Sequence, residues 1–141
     1  MENKAIKELR DPQFFISKSA RQLYDNAKEN IDEFKRMQNK DFLMLAVVFG
    51  FLNQKKKKLE NKDKAENGLC RLDNLSPAET AVIKAIAVSE MKDIGIIRNI
   101  PEILRITEEY ANGGASYLKE FLFEDQASLS KKFAHIVKER N

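Results

Sequence analysis

The sequence predicts an all-α fold, a compact single-domain bundle of about five to six helices. It leaves open whether a short extended segment precedes these helices at the N-terminus. The chain has 141 residues, the length of one typical domain. Only five glycines and three prolines interrupt it, whereas a sheet would need many more turns. Between them, apolar residues recur at the three- and four-residue spacing of helix faces. We therefore take residues 1–141 as a single helical domain.

The first helix is predicted to follow Ser17 and to extend over about 18 residues. Its apolar stripe consists of Ala20, Tyr24, Ala27, Ile31 and Phe34, at successive spacings of four, three, four and three residues. Two heptads are too few to define a coiled coil. We expect the stripe to pack on the rest of the domain, with a seam between two copies of the chain as the alternative.

The segment before this helix, QFFIS at residues 13–17, is the one good strand candidate. As part of an N-terminal arm over residues 1–16, it would pack on the core. In the alternative, two copies would pair these strands and insert them into the DNA major groove, as ribbon-helix-helix proteins do. Alternation along such a strand leaves only Gln13 and Ser17 able to hydrogen-bond a base, so we favour the packed arm.

The second helix is predicted to begin at Asn39 or Asp41 and to include the run FLMLAVVFGFLNQ. Because this run is apolar on nearly every face, the helix should be the central one. Gly50 lies inside it, where glycine costs up to about 1 kcal/mol relative to alanine. We expect a close helix crossing or a bend at Gly50.

Four lysines, Lys55–Lys58, follow the apolar helix directly and open a predicted lysine-rich linker over residues 55–68. Residues 39–67 hold seven lysines and four acidic residues, so their excess of three positive charges equals the net charge of the whole chain. Such a cluster can neutralise DNA phosphates without recognising sequence. It can instead interact with the dipole of the preceding helix and keep an apolar element soluble.

The third helix has the clearest predicted start in the chain. Ser76 is placed as N-cap, Pro77 as first helical residue and Glu79 as the partner in a capping box. A face of mostly small residues suited to close packing consists of Ala78, Val82, Ala85, Ile86 and Ser89. Gly95 is the predicted C-terminal stop.

Pro101 is predicted to open a fourth helix, which ends at Asn112, Gly113 and Gly114 because a double glycine is typical of helix C-termini. A fifth, short helix then carries Tyr117 and the apolar residues that follow it. The last segment, 125–141, is predicted to dock as a C-terminal helix through Leu129, Phe133, Ile136 and Val137.

Residue types that support catalysis or metal binding are scarce. Cys70 is the single cysteine and His135 the single histidine, so neither a metal cage nor a thiol–histidine pair is expected. Gly113 and Gly114 lack the Lys-Ser/Thr pair of a phosphate-binding loop, and the acidic pairs are adjacent residues that point in different directions on a helix. We predict no catalytic residue, no metal and no cofactor, hence a protein that is not an enzyme.

The sequence also predicts a cytoplasmic location. The N-terminus, MENKAIKELRDPQ, lacks the apolar region of a signal peptide. The longest apolar run, Phe42–Leu52, has eleven residues, whereas crossing a bilayer takes about 20. We therefore expect no membrane partner.

Three blocks of the chain resemble the small accessory proteins associated with bacterial DNA phosphorothioation (Dnd) systems. These blocks are FFISKSARQLYDNAK, KDFLMLAVVFGFLNQKKKK and ITEEYANGGASYLKEFL. The most specific element is residues 108–114, EEYANGG. The resemblance implies a cytoplasmic accessory protein of an anti-phage defence locus that acts beside DNA-handling, nuclease or ATPase partners, and it implies no catalytic residue.

Together these observations predict a non-enzymatic accessory subunit that contacts DNA without sequence preference. The predicted DNA contacts are Lys55, Lys56, Lys57 and Lys58, joined by Lys18 and Arg21. The predicted interface for larger protein partners is an elbow made of Tyr110, Asn112, Gly113, Gly114 and Tyr117. The alternative is a pure protein-interaction or homo-oligomerisation module that binds no nucleic acid.

Overall fold

A computed structural model describes residues 12–123 of the chain, and these residues are mostly helical, which confirms the all-α prediction. The α-helices are α1 (Lys18–Asn30), α2 (Asp32–Lys35), α3 (Asn39–Leu52), α4 (Pro77–Met91) and α5 (Ile100–Phe123). Two short strands, β1 (Gln13–Phe14) and β2 (Cys70–Arg71), form the one sheet in this part of the chain. Short 3₁₀ helices cover Asn61–Asp63, Leu72–Asn74 and Ile94–Arg98.

Helix α1 begins where the sequence predicts and ends earlier. The Ser17 hydroxyl caps it by accepting a hydrogen bond from the Ala20 N–H at 3.0 Å. Ile31 is extended, with φ of −123°, and interrupts the predicted 18-residue helix, so Phe34 lies in the separate helix α2. After the interruption the chain folds back toward α1. The Tyr24 hydroxyl donates to the Met37 carbonyl at 3.0 Å, and the Tyr24 ring stacks on Phe42.

Strand β1 packs within its own chain, as the favoured alternative predicted. It pairs antiparallel with β2, in the register Gln13 with Arg71 and Phe14 with Cys70. On its other edge the Phe15 N–H donates to a carboxylate of α5, that of Glu108. Phe14 is fully buried, and both edges are engaged, so the paired-strand DNA ribbon is wrong for this chain.

Helices α3 and α5 form the most extensive helix pair of the described residues, and glycine makes it close. A Cβ atom on Gly114 would collide with the Ala46 carbonyl oxygen, and one on Gly50 would collide with the Tyr110 carbonyl oxygen. The close crossing predicted at Gly50 is thus confirmed. The partner face of the crossing is the double glycine of α5.

The predicted end of the fourth helix at Asn112, Gly113 and Gly114 is wrong. Helix α5 continues through these residues for 24 residues in all, joining the predicted fourth and fifth helices. Neither glycine adopts a positive φ, so neither acts as a left-handed cap. Their small size serves helix packing instead of chain reversal.

Helix α4 confirms its predicted capping box but presents a different face to the core. The Ser76 hydroxyl accepts from the Glu79 N–H at 3.1 Å, and the Glu79 carboxylate accepts from the Ser76 N–H at 2.9 Å. The helix stops at Met91 through a left-handed Lys92, not at Gly95. Of the predicted packing face only Ile86 is buried; the exposed members are Ala78, Val82, Ala85 and Ser89.

The buried core draws on β1 and on all five α-helices. No helix among residues 12–123 has the length and apolar character required to cross a membrane. The predicted C-terminal helix 125–141, with His135, and the first part of the predicted N-terminal arm lie outside the described residues.

Candidate nucleic-acid interface

The lysine segment, Lys55–Lys58, begins directly after a tight turn that ends α3. Gln54 adopts a positive φ of 54°, and the Lys55 N–H donates back to the Gly50 carbonyl at 2.7 Å. This is the hydrogen-bond pattern of a helix C-terminus. The segment therefore leaves the helix axis and crosses the surface of α5.

Helix α5 holds the backbone of the lysine segment in place. The Lys57 N–H donates to the Glu109 carbonyl at 3.0 Å. The Asn112 side-chain amide donates to the carbonyls of Lys57 and Lys58, at 3.3 and 3.2 Å. A side chain on Gly113 would collide with the Lys55 carbonyl oxygen, so that glycine makes room for the segment. The block EYANGG thus forms the surface of α5 on which the backbone of the lysine segment packs.

The four lysines differ in what their side chains contact. Lys56 pairs with Glu90 of α4, which also accepts a hydrogen bond from the Tyr110 hydroxyl. Hydrogen bonds from Lys56 and Tyr110 hold the pKa of Glu90 below its ordinary value. Burial, together with the Glu90 carboxylate, raises the pKa of Tyr110 to about 12. Lys56 therefore ties the lysine segment to α4, whereas the other three lysines pair with no carboxylate among residues 12–123.

A cleft beside the lysine segment, which we call the α5 cleft, encloses about 640 Å³. Its lining residues are Lys58, Leu59, Lys64, Pro101, Leu104, Arg105, Glu108 and Glu109. The Lys64 ammonium lies 5.3 Å from the centroid of the Phe15 ring. Arg105 pairs with Glu102 and Glu109, so its charge is neutralised locally. The cleft thus holds two lysines without carboxylate partners in the described structure.

Glu108 is a half-buried ionisable group of the α5 cleft. Its Oε2 atom accepts from the Phe15 N–H at 2.6 Å, which ties α5 to the chain beside β1. Burial raises the pKa of Glu108 to about 7, against the opposing influence of that N–H and of Lys64. This carboxyl therefore changes charge near neutral pH.

Lys18 and Arg21, the other predicted DNA contacts, lie on α1 in a separate shallow depression. That depression also contains Asp25 and Glu29, and the Arg21 guanidinium is 3.6 Å from the Asp25 carboxylate. The surface is therefore of mixed charge. Lys18 directly follows Ser17, whose backbone forms a β-bridge with Lys64. The backbone of Lys18 therefore lies close to a residue that lines the α5 cleft.

The predicted partner elbow does not form, because its residues lie in the middle of one continuous helix. Tyr110, Asn112, Gly113 and Gly114 are buried in contacts within the chain. Tyr117 is half-buried against the rings of Phe49 and Phe121. The surface assigned to partners at this place is thus interior packing.

Three residues of the cleft escape a search for local motifs. Lys64 is separated from the lysine run, and contacts with the segment before α1, among them its bridge to Ser17, bring it alongside. Arg105 lies at helix spacing from Glu102 and Glu109, a pattern that predicts pairing. Glu108 follows Leu104 by four residues and precedes buried Ala111 by three, a spacing that places it toward the core face of α5.

Cys70 and the acidic residues were the other candidates for a site among the described residues. Burial raises the pKa of the Cys70 thiol to about 11, so little reactive thiolate is present at neutral pH. Residues 12–123 contain no grouping of His, Cys, Asp or Glu that could hold a metal ion. The lysine segment and the α5 cleft are therefore the strongest candidate site.

Residues 16–141 match the model of a protein family described as DNA sulphur modification system-associated protein 4. Neither the curated proteins nor the solved structures gave a match to the chain. The match spans every residue of the lysine segment and the α5 cleft.

Proposed function

Because the chain belongs to the family of DNA sulphur modification system-associated protein 4, we propose that it is a non-enzymatic accessory subunit that contacts DNA in a phosphorothioation-linked anti-phage defence system. The family places the chain with a DNA sulphur modification system. A cytoplasmic location, where such a system meets its DNA, is part of this proposal. Larger nuclease or ATPase components of the same system are its proposed protein partners.

The single observation that carries the DNA contact is the anchoring of the lysine segment. Lys55, Lys57 and Lys58 are exposed and unpaired within the described residues, while hydrogen bonds from α5 fix the backbone beneath them. Lysines on a fixed backbone can approach several phosphates at once, and each contact releases counterions. Such contacts give affinity without sequence preference.

The unequal partners of the basic residues make the proposal more specific. Lys56 is already paired with Glu90, and Arg21 with Asp25, so we expect smaller DNA contributions from both. Lys18 is exposed and pairs with no carboxylate among residues 12–123, and it joins the proposed contact surface.

Fluorescence anisotropy of labelled duplex DNA, intact and nicked, tests this proposal at low and at physiological salt. A variant with Lys55, Lys57 and Lys58 replaced by Gln should bind DNA at least about tenfold more weakly than the wild type at low salt. The matched control replaces three exposed basic residues elsewhere, Arg36, Arg98 and Lys119, with Gln, and these also pair with no carboxylate among residues 12–123. Equal losses in both variants would show only an effect of net charge and would contradict a site at the lysine segment.

The exposed side of α4 favours a second candidate function, docking of a protein partner without DNA. Its outer face carries Ala78, Ala81, Val82 and Ala85, and the turn after it exposes 71% of Ile94. A helix that is apolar on its outer side favours a covering partner. Capture of the system's larger proteins by wild type, but not by Val82→Glu or Ile94→Glu, would support this function. Capture that survives both substitutions would contradict it.

A further inference from the structure

We propose that the α5 cleft takes one phosphate group of the DNA backbone between Lys58 and Lys64, and that Glu108 weakens this contact when it is ionised. The inference rests on the proposed DNA-binding function. It extends the contact surface from Lys58 of the lysine run to Lys64 and names a residue that regulates this contact.

Lys58 and Lys64 are the cations that an anion in the cleft would meet. Both line the cleft, and neither pairs with a carboxylate within residues 12–123. The Lys58 carbonyl accepts a hydrogen bond from the Asn112 amide. Lys64 is held by its bridge to Ser17 and by its contact with the Phe15 ring. Two lysines that line one cleft on a fixed backbone suit a phosphodiester group, which carries one negative charge.

Arg105 does not compete for this role. Its guanidinium is held by two carboxylates of its own helix, Glu102 and Glu109. One guanidinium offsets only one of these two carboxylates, so the group of three keeps one negative charge. That charge is constant near neutral pH, and the variable charge of the cleft is that of Glu108, set against the two lysines.

The surroundings of Glu108 explain how it controls that charge. From the segment after α3 it faces Lys64, with Lys58 in the same cleft; from α5 it faces Glu109 and Arg105; and from the side of β1 it meets the Phe15 N–H. An ionised Glu108 offsets one of the two lysine charges, whereas a protonated Glu108 leaves both available to phosphate. DNA binding should consequently strengthen as the pH falls from 8 to 6.

The test compares Glu108→Gln with the matched control Glu33→Gln, which removes an exposed carboxylate from α2. Glutamine keeps an acceptor for the Phe15 N–H, so the fold should survive, as circular dichroism can verify. At pH 8 we expect Glu108→Gln to bind duplex DNA about fivefold tighter than wild type. At pH 6 the two should bind equally, and Glu33→Gln should follow the wild type at both pH values.

A Lys64→Gln variant completes the experiment, and it should bind DNA more weakly than wild type at both pH values. If Lys64→Gln binds like wild type, or if Glu108→Gln keeps the full wild-type pH response, the cleft inference is overturned. The proposed function would still stand in that case, provided the lysine-segment variant loses affinity. If no protein binds DNA at low salt, both are overturned.

Discussion

Asn112 shows how much can depend on one buried amide. It is 4% exposed, and its Nδ2 donates to two consecutive backbone carbonyls of the lysine segment. Peptide carbonyls that lose a buried partner carry a desolvation cost, and the segment has few other bonds to α5. Asn112 thus connects the buried face of α5 to the backbone of the exposed lysines.

Asn112→Ala should lower the free energy of unfolding by about 1–3 kcal/mol and should loosen the lysine segment. Denaturant unfolding measures the first effect, and hydrogen exchange of the Lys57 amide measures the second. Asn53→Ala is the matched control, because the Asn53 amide also donates to a carbonyl, that of Phe49, but is exposed. An equal loss in the two variants would contradict a special role for Asn112.

Lys56 and Lys58 belong to the same lysine run but are expected to differ in role, Lys56 in fold stability and Lys58 in DNA contact. Lys56→Gln removes the partner of Glu90 and should cost about 0.5–1 kcal/mol, a modest amount because the pair is partly exposed. Its effect on DNA affinity should be smaller than that of Lys58→Gln. The reverse order, with Lys58→Gln destabilising the fold and Lys56→Gln abolishing DNA binding, would contradict the assignment.

Glu108 should make the stability of the fold depend on pH. Burial raises its pKa to about 7 from an ordinary value of 4.5, so the folded protein retains a proton that the unfolded chain loses. The free energy of unfolding should therefore fall as the pH rises from about 5 to 8. At pH 8, Glu108→Gln should be more stable than wild type by about 1–3 kcal/mol, as urea unfolding would measure. If the wild type and Glu108→Gln show the same pH dependence, Glu108 is not the titrating group.

At the scale of elements, local chemistry predicts helix starts well. The Ser76 cap, the Ser17 cap and the apolar run of α3 all appear where the sequence places them. Each of these signals depends on residues within one turn of the helix end or on one periodic stripe. No partner from another element is needed to interpret them.

The double glycine of α5 is the opposite case. Asn-Gly-Gly is typical of helix C-termini, and nothing local distinguishes that use from a close helix crossing. The deciding contacts come from Ala46 and Gly50 of α3 and from Lys55, all distant in sequence. The partner elbow predicted at this place was wrong for the same reason.

Gly114→Ala tests the crossing directly. Alanine should favour an isolated helix by about 1 kcal/mol, but its Cβ would collide with the Ala46 carbonyl and force α3 and α5 apart. We expect a net loss of about 1–3 kcal/mol in the free energy of unfolding. Gly95→Ala is the control, because its Cβ would meet only the side chain of Asp93, at 3.2 Å. A stabilised Gly114→Ala variant would contradict the close crossing.

On the scale of the whole molecule, a net charge of +3 conceals an uneven surface. The lysine run could be located from sequence, because it is contiguous. The sequence could not show which of these lysines are unpaired, because the partner of Lys56 is on α4, 34 residues away along the chain. Lys64 joins the cleft through its β-bridge to Ser17 and its contact with Phe15, both distant in sequence. The candidate site was therefore predictable in position but not in composition.

The salt dependence of DNA binding tests the central claim most directly. Each phosphate contact that is lost should reduce the slope of log affinity against log salt concentration by nearly one for duplex DNA. Replacing Lys55, Lys57 and Lys58 with Gln should flatten that slope by about two to three, while the Arg36, Arg98 and Lys119 control keeps the wild-type slope. A wild-type protein whose slope is unchanged by the lysine-segment variant would contradict the account.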